Sequence, residues 1–222
     1  MSEGALSARI VDAPGDPIFG IVELFRADPR SHKINLAAGV YMDEQGITPI
    51  LPSVRVAEER LLASSTSKLY VPIGGDPAYL EAAKSLLFRP LGGAWGEREP
   101  AAADRVQMIH TPGGTGAVRL AVDLVARLRP GAEIWVGEPT WPNHTQIIES
   151  ARITARRHDW ITEDARELNI GAISAALSAA KGGDAIILHG ACHNPTGIDP
   201  TPEQWNEIAQ QVAHRGVLPI LD

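Results

Sequence analysis

Along the second half of the chain, short apolar runs alternate with stretches in which apolar residues recur every three or four positions. Ala185-Ile186-Ile187-Leu188 and Leu218-Pro219-Ile220-Leu221 are continuous apolar runs of strand length. Trp205, Ile208, Ala209 and Val212 mark one face of a helix. From residue 105 the repeating order is strand, loop, helix. "RVQMIH" reads as a strand, "TPGGTG" as a glycine turn, and "AVRLAVDLVARLRPG" as a helix closed by Pro130-Gly131. "EIWVGEP" reads as the next strand, followed by a helix through Gln146–Ala151. "RITARRHDW" is a third strand, "IGAISAALSAAKGG" a helix, "DAIILHG" a fourth strand and "VLPILD" a fifth. The helix before "VLPILD" carries its own start signal: Thr201 at the cap, Pro202 at the first helical position and Gln204 three residues after the cap. Gly216 ends it.

The first hundred residues are less regular. Residues 1 to about 30 are rich in Pro, Gly and Asp, with an apolar patch of Ile18, Phe19, Ile21, Leu24 and Phe25 that reads as an arm packing on a partner. "INLAAGVYMDEQG" reads as a short strand and a turn. Residues 52–63 and 77–88 have helical spacing, and 89–104 form a polar, Gly/Pro-rich connection.

Strands alternating with helices predict an α/β fold built on a mainly parallel sheet flanked by helices. Such sheets bind ligands beyond the carboxyl ends of their strands. The polar clusters "TPGGTG", "EPTWPNH", "HGACHNPTG" and Asp222 all follow strands, so they are expected on one edge.

Composition narrows the class. The 222 residues are 44% hydrophobic and 21% charged, an ordinary globular profile, and the net charge of −7 comes without a basic run that would suit nucleic acid or a membrane surface. The cluster of Arg152, Arg156 and Arg157 reads as a solvated face. Cys192 is the only cysteine, which points to a reducing compartment, and the start "MSEGALSARIVDAPGD" lacks a signal-peptide core. A cytoplasmic protein is expected.

The clustered polar residues carry the chemistry. Gly113-Gly114-Thr115-Gly116 offers backbone N–H groups, a helix N-terminus and a hydroxyl, which together cradle a phosphate or else make a plain tight turn. Trp141 can stack on a flat ring or simply pack. Asn194, held by Pro195 and Gly197, can donate to a phenolate or carboxylate, or only form its turn. Asp222 follows an apolar strand, where a carboxylate is costly to bury unpaired. A protonated ring nitrogen would satisfy it, with His144 and His189 orienting it; otherwise it caps the next loop. Taken together, these features specify a ligand with a phosphate, a flat ring, a ring oxygen and a protonated ring nitrogen. Pyridoxal 5′-phosphate has all four.

"HNPTGIDPTPEQW", "TPGGTGAVRLA", "EPTWPNH" and "INLAAGVYMDEQGITP" closely resemble the class I aminotransferases of the aspartate and aromatic-amino-acid group, from about residue 12 to Asp222. The resemblance implies a fold-type-I pyridoxal-phosphate-dependent transferase, homodimeric, acting on small-molecule amino acids and 2-oxo acids. It implies an arm and part of a small domain over 1–50, and an incomplete large cofactor-binding domain over 51–222. By matching motifs, Gly114 and Thr115 hold the cofactor phosphate, Trp141 stacks on the ring, and Asn194 bonds the ring oxygen and substrate carboxylate. Asp222 pairs with the ring nitrogen, supported by His144 and His189. Tyr70 reaches the partner's phosphate site, Gly39 lies against the substrate carboxylate, and the Ile18-Phe19 arm clasps the neighbouring subunit. Met42 and Leu69 are apolar where aspartate-preferring relatives tend to carry lysine and asparagine, whereas Val40 and Thr48 match the aspartate-preferring pattern. The implied activity is transamination of aromatic amino acids, aspartate or both, with 2-oxoglutarate.

That reaction requires a lysine to form the Schiff base and to shuttle a proton. The chain's lysines are Lys33, Lys68, Lys84 and Lys181, and none falls in a segment matching the family's. The 222-residue chain is therefore expected to be inactive by itself, truncated after the strand ending at Asp222 and part of a longer enzyme. A non-catalytic protein that binds pyridoxal phosphate or a partner aminotransferase chain is the competing reading. A nucleotide-binding domain is a third, disfavoured by the missing dinucleotide fingerprint. No metal site is expected.

Overall fold

The computed structural model describes residues 17–35, 39–88 and 105–222. It divides into two compact units, one ending at Leu69 and the other beginning at Tyr70.

The first unit contains α1 (Pro17–Ala27) and α2 (Pro52–Ser64). Lys33 Nζ donates to the carbonyls of Phe25 and Asp28, both at 2.7 Å, and lies 4.6 Å from the Phe25 ring centroid. It thereby closes the end of α1, where orphan carbonyls collect. The turn expected after residue 42 forms on Asp43, whose carboxylate accepts the amides of Gln45 and Ile47. The strand expected before it does not form at residues 33–35 or 39–42, and 36–38 lie outside the described residues. The side chains of Ile18 and Phe19 also lie outside them.

The second unit holds α3 (Pro77–Phe88), α4 (Gly113–Leu128), β1 (Glu133–Glu138), α5 (Pro142–Ser150), β2 (Thr154–Asp159), α6 (Ile170–Ala179), β3 (Ala185–Leu188), α7 (Pro202–Arg215) and β4 (Leu218–Leu221). The four strands form one sheet in the order β2-β1-β3-β4, and every pairing is parallel. The alternation read from the sequence thus gives the expected architecture. Side chains of β3 alternate in the period of a pleated strand. Ala185 and Ile187 join Val118, Val122 and Val125 of α4 and Ile147 and Ile148 of α5 on one face. Ile186 and Leu188 join Ile173 and Leu177 of α6 and Ile208 and Val212 of α7 on the other. Each of these Val, Leu and Ile side chains contributes about 1.5–3 kcal/mol when fully buried.

Two local expectations need correction. Residues 105–110 are not a strand: among the described residues no strand lies beside them, and the His110 amide donates to the Gly74 carbonyl at 2.8 Å. An extended segment without a ladder partner is not a sheet member. The helix after β1 starts at Pro142 rather than Gln146, because proline suits the first helical turn. In β4, Leu218 and Leu221 are 46% and 65% exposed. Among the described residues β4 pairs with β3 alone.

The chain leaves β1 for β2 on one side and later passes over to β3 and β4 on the other. The direction of winding therefore reverses between β1 and β3. A crevice opens at the carboxyl edge of such a reversal.

Candidate active site

The residues that follow β1, β3 and β4 meet at this crevice. Thr140, two residues past β1, places Oγ1 2.8 Å from His144 Nδ1 and 3.1 Å from His189 Nε2. His144 stands in the first turn of α5 because Pro142 starts that helix immediately after Trp141. Its Nε2 lies 2.8 Å from Asp222 Oδ2. His189 follows β3, and its Nδ1 accepts the backbone N–H of Asn194 at 3.2 Å. Asp222 is fixed by the sheet, with its amide on the Leu188 carbonyl at 2.9 Å and its carbonyl taking the Gly190 amide at 2.8 Å.

These distances determine where the protons sit. His189 Nδ1 receives an N–H, so it carries the lone pair and Nε2 carries the hydrogen. Nε2–H donates to Thr140 Oγ1, and the single Thr140 hydroxyl hydrogen then donates to His144 Nδ1. His144 Nε2–H is left to donate to the Asp222 carboxylate. One chain of hydrogen bonds therefore runs in a single direction from the Asn194 amide to Asp222.

The chain needs both imidazoles to be neutral, and the electrostatics agree. Burial pushes the His144 pKa down; the Asp222 carboxylate opposes that shift without overcoming it. Burial also lowers His189, and the neighbouring His144 adds to the effect. His193, 2% exposed, is pushed down to about 4, chiefly by burial and secondly by His189. Its ring stacks on Trp160 at 4.3 Å and 12°, and lies 4.0 Å from the His189 ring. Trp160 is anchored in turn by its indole N–H on the Ile198 carbonyl at 2.9 Å.

Trp141 stands edge-on to His144, with ring centroids 5.3 Å apart and 87° between planes. Thr115 lies in the first turn of α4, where backbone amides lack intrahelical partners. The helix begins at Gly113, inside the stretch expected to be a loop, and Gly113 takes a left-handed φ of 70° to enter it. Thr115 Oγ1 accepts from Asn143 Nδ2 at 3.3 Å, which links this helix start to α5 and so to His144.

Six of the positions singled out from the sequence are therefore joined around one crevice: Thr115, Trp141, His144, His189, Asn194 and Asp222. Gly114 adjoins Thr115. Asp222 is less enclosed than its place after an apolar strand suggested, since its side chain is 29% exposed and its partner is a neutral imidazole. Tyr70, at the start of the second unit, is wholly exposed. Gly39, Met42 and Leu69 belong to the first unit. Thr140, Trp160 and Asp199 were not singled out. Thr140 stands in "EPTW" directly after β1, and a hydroxyl at a strand's carboxyl end was the available signal.

Residues 31–222 match the model of the aminotransferase class I and II family. The chain belongs to that family. It is 43% identical over 214 residues to the aspartate aminotransferase of Salmonella typhi, covering 96% of this chain and 52% of that one. It is 39% identical over 216 residues to the aromatic-amino-acid aminotransferase of Pseudomonas aeruginosa, covering 97% and 52%. Its fold matches the aromatic-amino-acid aminotransferase of Burkholderia pseudomallei covalently bound to pyridoxal phosphate with a TM-score of 0.88 at 33% identity, covering 98% of this chain and 53% of that one. The chain thus spans about half the length of the relatives it matches. No helix among the described residues is long and apolar enough to cross a membrane.

Proposed function

We propose that this chain supplies the cofactor-binding part of a pyridoxal-phosphate-dependent aminotransferase acting on aromatic amino acids, aspartate or both, with 2-oxoglutarate as the acceptor. The carrying observation is the hydrogen-bond chain ending on Asp222. One carboxylate oxygen is committed to His144 while the side chain keeps an open flank, an acceptor that fits the N–H of a protonated pyridine ring. Thr115, in a helix first turn with the Gly114 amide beside it, fits a phosphate. Gly114 leaves open space where a Cβ would stand, so a ligand can approach its backbone closely.

In this reading the bound pyridoxal phosphate acts as an electron sink for charge developing at the substrate's α-carbon. The chain's own residues do the rest. Asp222 holds the proton at the ring nitrogen, and His144 holds Asp222 with its acceptor atoms facing outward. Thr140 and His189 fix the His144 tautomer, while Asn194 donates to the ring oxygen and the substrate carboxylate. Trp141 covers the ring face and excludes water. Lys181 stands in the turn before β3, at the opposite edge of the sheet, where its amide donates to Asp184 Oδ2 at 2.9 Å. It therefore cannot serve as the covalent partner of a ligand at the carboxyl edge. The Schiff-base lysine, the homodimeric assembly, and the roles of Gly39, Met42, Leu69 and Tyr70 belong to the proposal for the whole enzyme, as do the cytoplasmic location and the domain division.

The test uses the full-length protein with pyridoxal phosphate, offering phenylalanine and aspartate as separate donors to 2-oxoglutarate. Glutamate is expected to form from at least one pair. Failure with both donors, in a protein that shows the cofactor's absorbance, would remove the aminotransferase reading and leave a binding protein.

A further inference from the structure

The direction of the hydrogen-bond chain is set at its far end, where the Asn194 amide meets His189. That amide belongs to a loop that leaves β3 and returns to α7, and the loop is braced by a carboxylate outside the crevice. Asp199 Oδ2 accepts the Cys192 amide and Oδ1 accepts the His193 amide, both at 2.7 Å. Carboxylate bonds to backbone N–H groups are stronger than neutral ones. The His193 amide holds the Asp199 carboxyl below the usual carboxylate range, with a further contribution from the Cys192 amide. Cys192 is turned to a left-handed φ of 55° to allow this double contact. The Gly197 amide then closes on the His193 carbonyl at 2.7 Å.

We infer that Asp199 is a positioning residue: by taking the Cys192 and His193 amides it turns the next amide, that of Asn194, onto His189 Nδ1 and so fixes which way the chain to Asp222 runs. The three consecutive amides leave few alternatives. With two of them drawn to one carboxylate, the third is presented to the ring that lies against the loop. The His193 ring completes the brace, packed against both Trp160 and His189 with Nδ1 2.9 Å from Thr196 Oγ1. Without the Asn194 amide, either nitrogen of His189 can hold the proton. In the wrong tautomer, Nε2 becomes an acceptor and draws the Thr140 hydroxyl hydrogen away from His144. His144 can then reverse, and Asp222 loses the donor that orients it.

The inference deepens the reading of Asp222 as partner to a ring nitrogen, but its test does not depend on that reading. Full-length protein free of cofactor is labelled with 15N at histidine and at the backbone. Ring nitrogens are read at pH 7.5 through two-bond 1H–15N correlations, and ring N–H and Asn194 amide exchange with solvent are followed. The native protein is expected to show one tautomer for His189, with hydrogen on Nε2. Asp199→Ala is expected to introduce the second tautomer and to speed exchange of the His189 ring hydrogen and the Asn194 amide about tenfold. Asp199→Asn keeps one acceptor oxygen and should give a smaller change in the same direction. Unchanged His189 tautomer and exchange in folded Asp199→Ala would overturn the inference. Should that variant not fold, Asp199→Asn is judged by the same criterion. Because no cofactor is present, a negative result here leaves the aminotransferase reading intact, and failed amino transfer leaves this result intact.

Discussion

Thr140 Oγ1 stands between two imidazoles, 2.8 Å from His144 Nδ1 and 3.1 Å from His189 Nε2, and its one hydrogen links the loop after β3 to the carboxylate after β4. Thr140→Val keeps the shape and removes both bonds. Each histidine nitrogen left unpaired costs about 1–3 kcal/mol. A lower urea midpoint with unchanged far-ultraviolet circular dichroism is the expected result. Equal midpoints for the two proteins would mean that the relay carries no net stability.

Asp222→Ala in the full-length enzyme removes the group read as the ring-nitrogen partner. Loss of one preorganised electrostatic partner costs about 10²–10³ in kcat. The cofactor should still bind through the Thr115 region while turnover falls by that factor. Turnover at the native rate would dissociate Asp222 from the chemistry.

The buried imidazoles also predict a direction for acid sensitivity. His193 ionises at about 4 in the folded chain against an ordinary value of 6.5, and burial lowers His144, His158 and His189 as well. The unfolded chain therefore takes up these protons first. Stability from keeping the rings neutral is complete above about pH 6.5 and is lost as pH falls towards 4. Denaturation midpoints measured from pH 8 to pH 4 should drop below 6.5, and His193→Phe should flatten that drop. A flat profile in the native protein would contradict the neutral-ring account.

Substrate preference can be tested in the first unit. Met42→Lys combined with Leu69→Asn in the full-length enzyme should raise kcat/KM for aspartate relative to phenylalanine. About 1.4 kcal/mol of new discrimination would appear as a tenfold change in the ratio. An unmoved ratio would remove these two positions from the specificity argument.

At the start of α7, Thr201 accepts the Gln204 amide at 3.3 Å and Gln204 Oε1 accepts the Thr201 amide at 2.9 Å. Thr201→Ala should cost about 1 kcal/mol, read as a lower thermal midpoint.

This cap shows what the sequence makes legible. Thr201, Pro202 and Gln204 interact within one turn, so their spacing alone specifies the geometry. The order of strands and helices and the convergence of Trp141, His144, Asn194 and Asp222 could be read for a related reason, since strand ends in a parallel sheet share an edge. Residues 105–110 look like a strand because Val106, Met108 and Ile109 fit a pleated surface, but such a stretch does not reveal whether a neighbouring strand is there to pair with it. Thr140 and Asp199 went unnoticed for another reason. Each acts through bonds to atoms that only the folded backbone brings close, and an isolated threonine or aspartate in a loop looks like any other turn residue.

Asp222 directly follows β4, whose four residues pair one-to-one with Ala185–Leu188. Side chains alternate faces along a strand, so a slip of one residue between β3 and β4 would carry Asp222 to the opposite side of the sheet and out of reach of His144. Strand register and proton placement are thus a single specification. A one-residue insertion or deletion within 217–221 would leave the composition of the site untouched and still disconnect it, and such length changes should be tolerated far less here than substitutions.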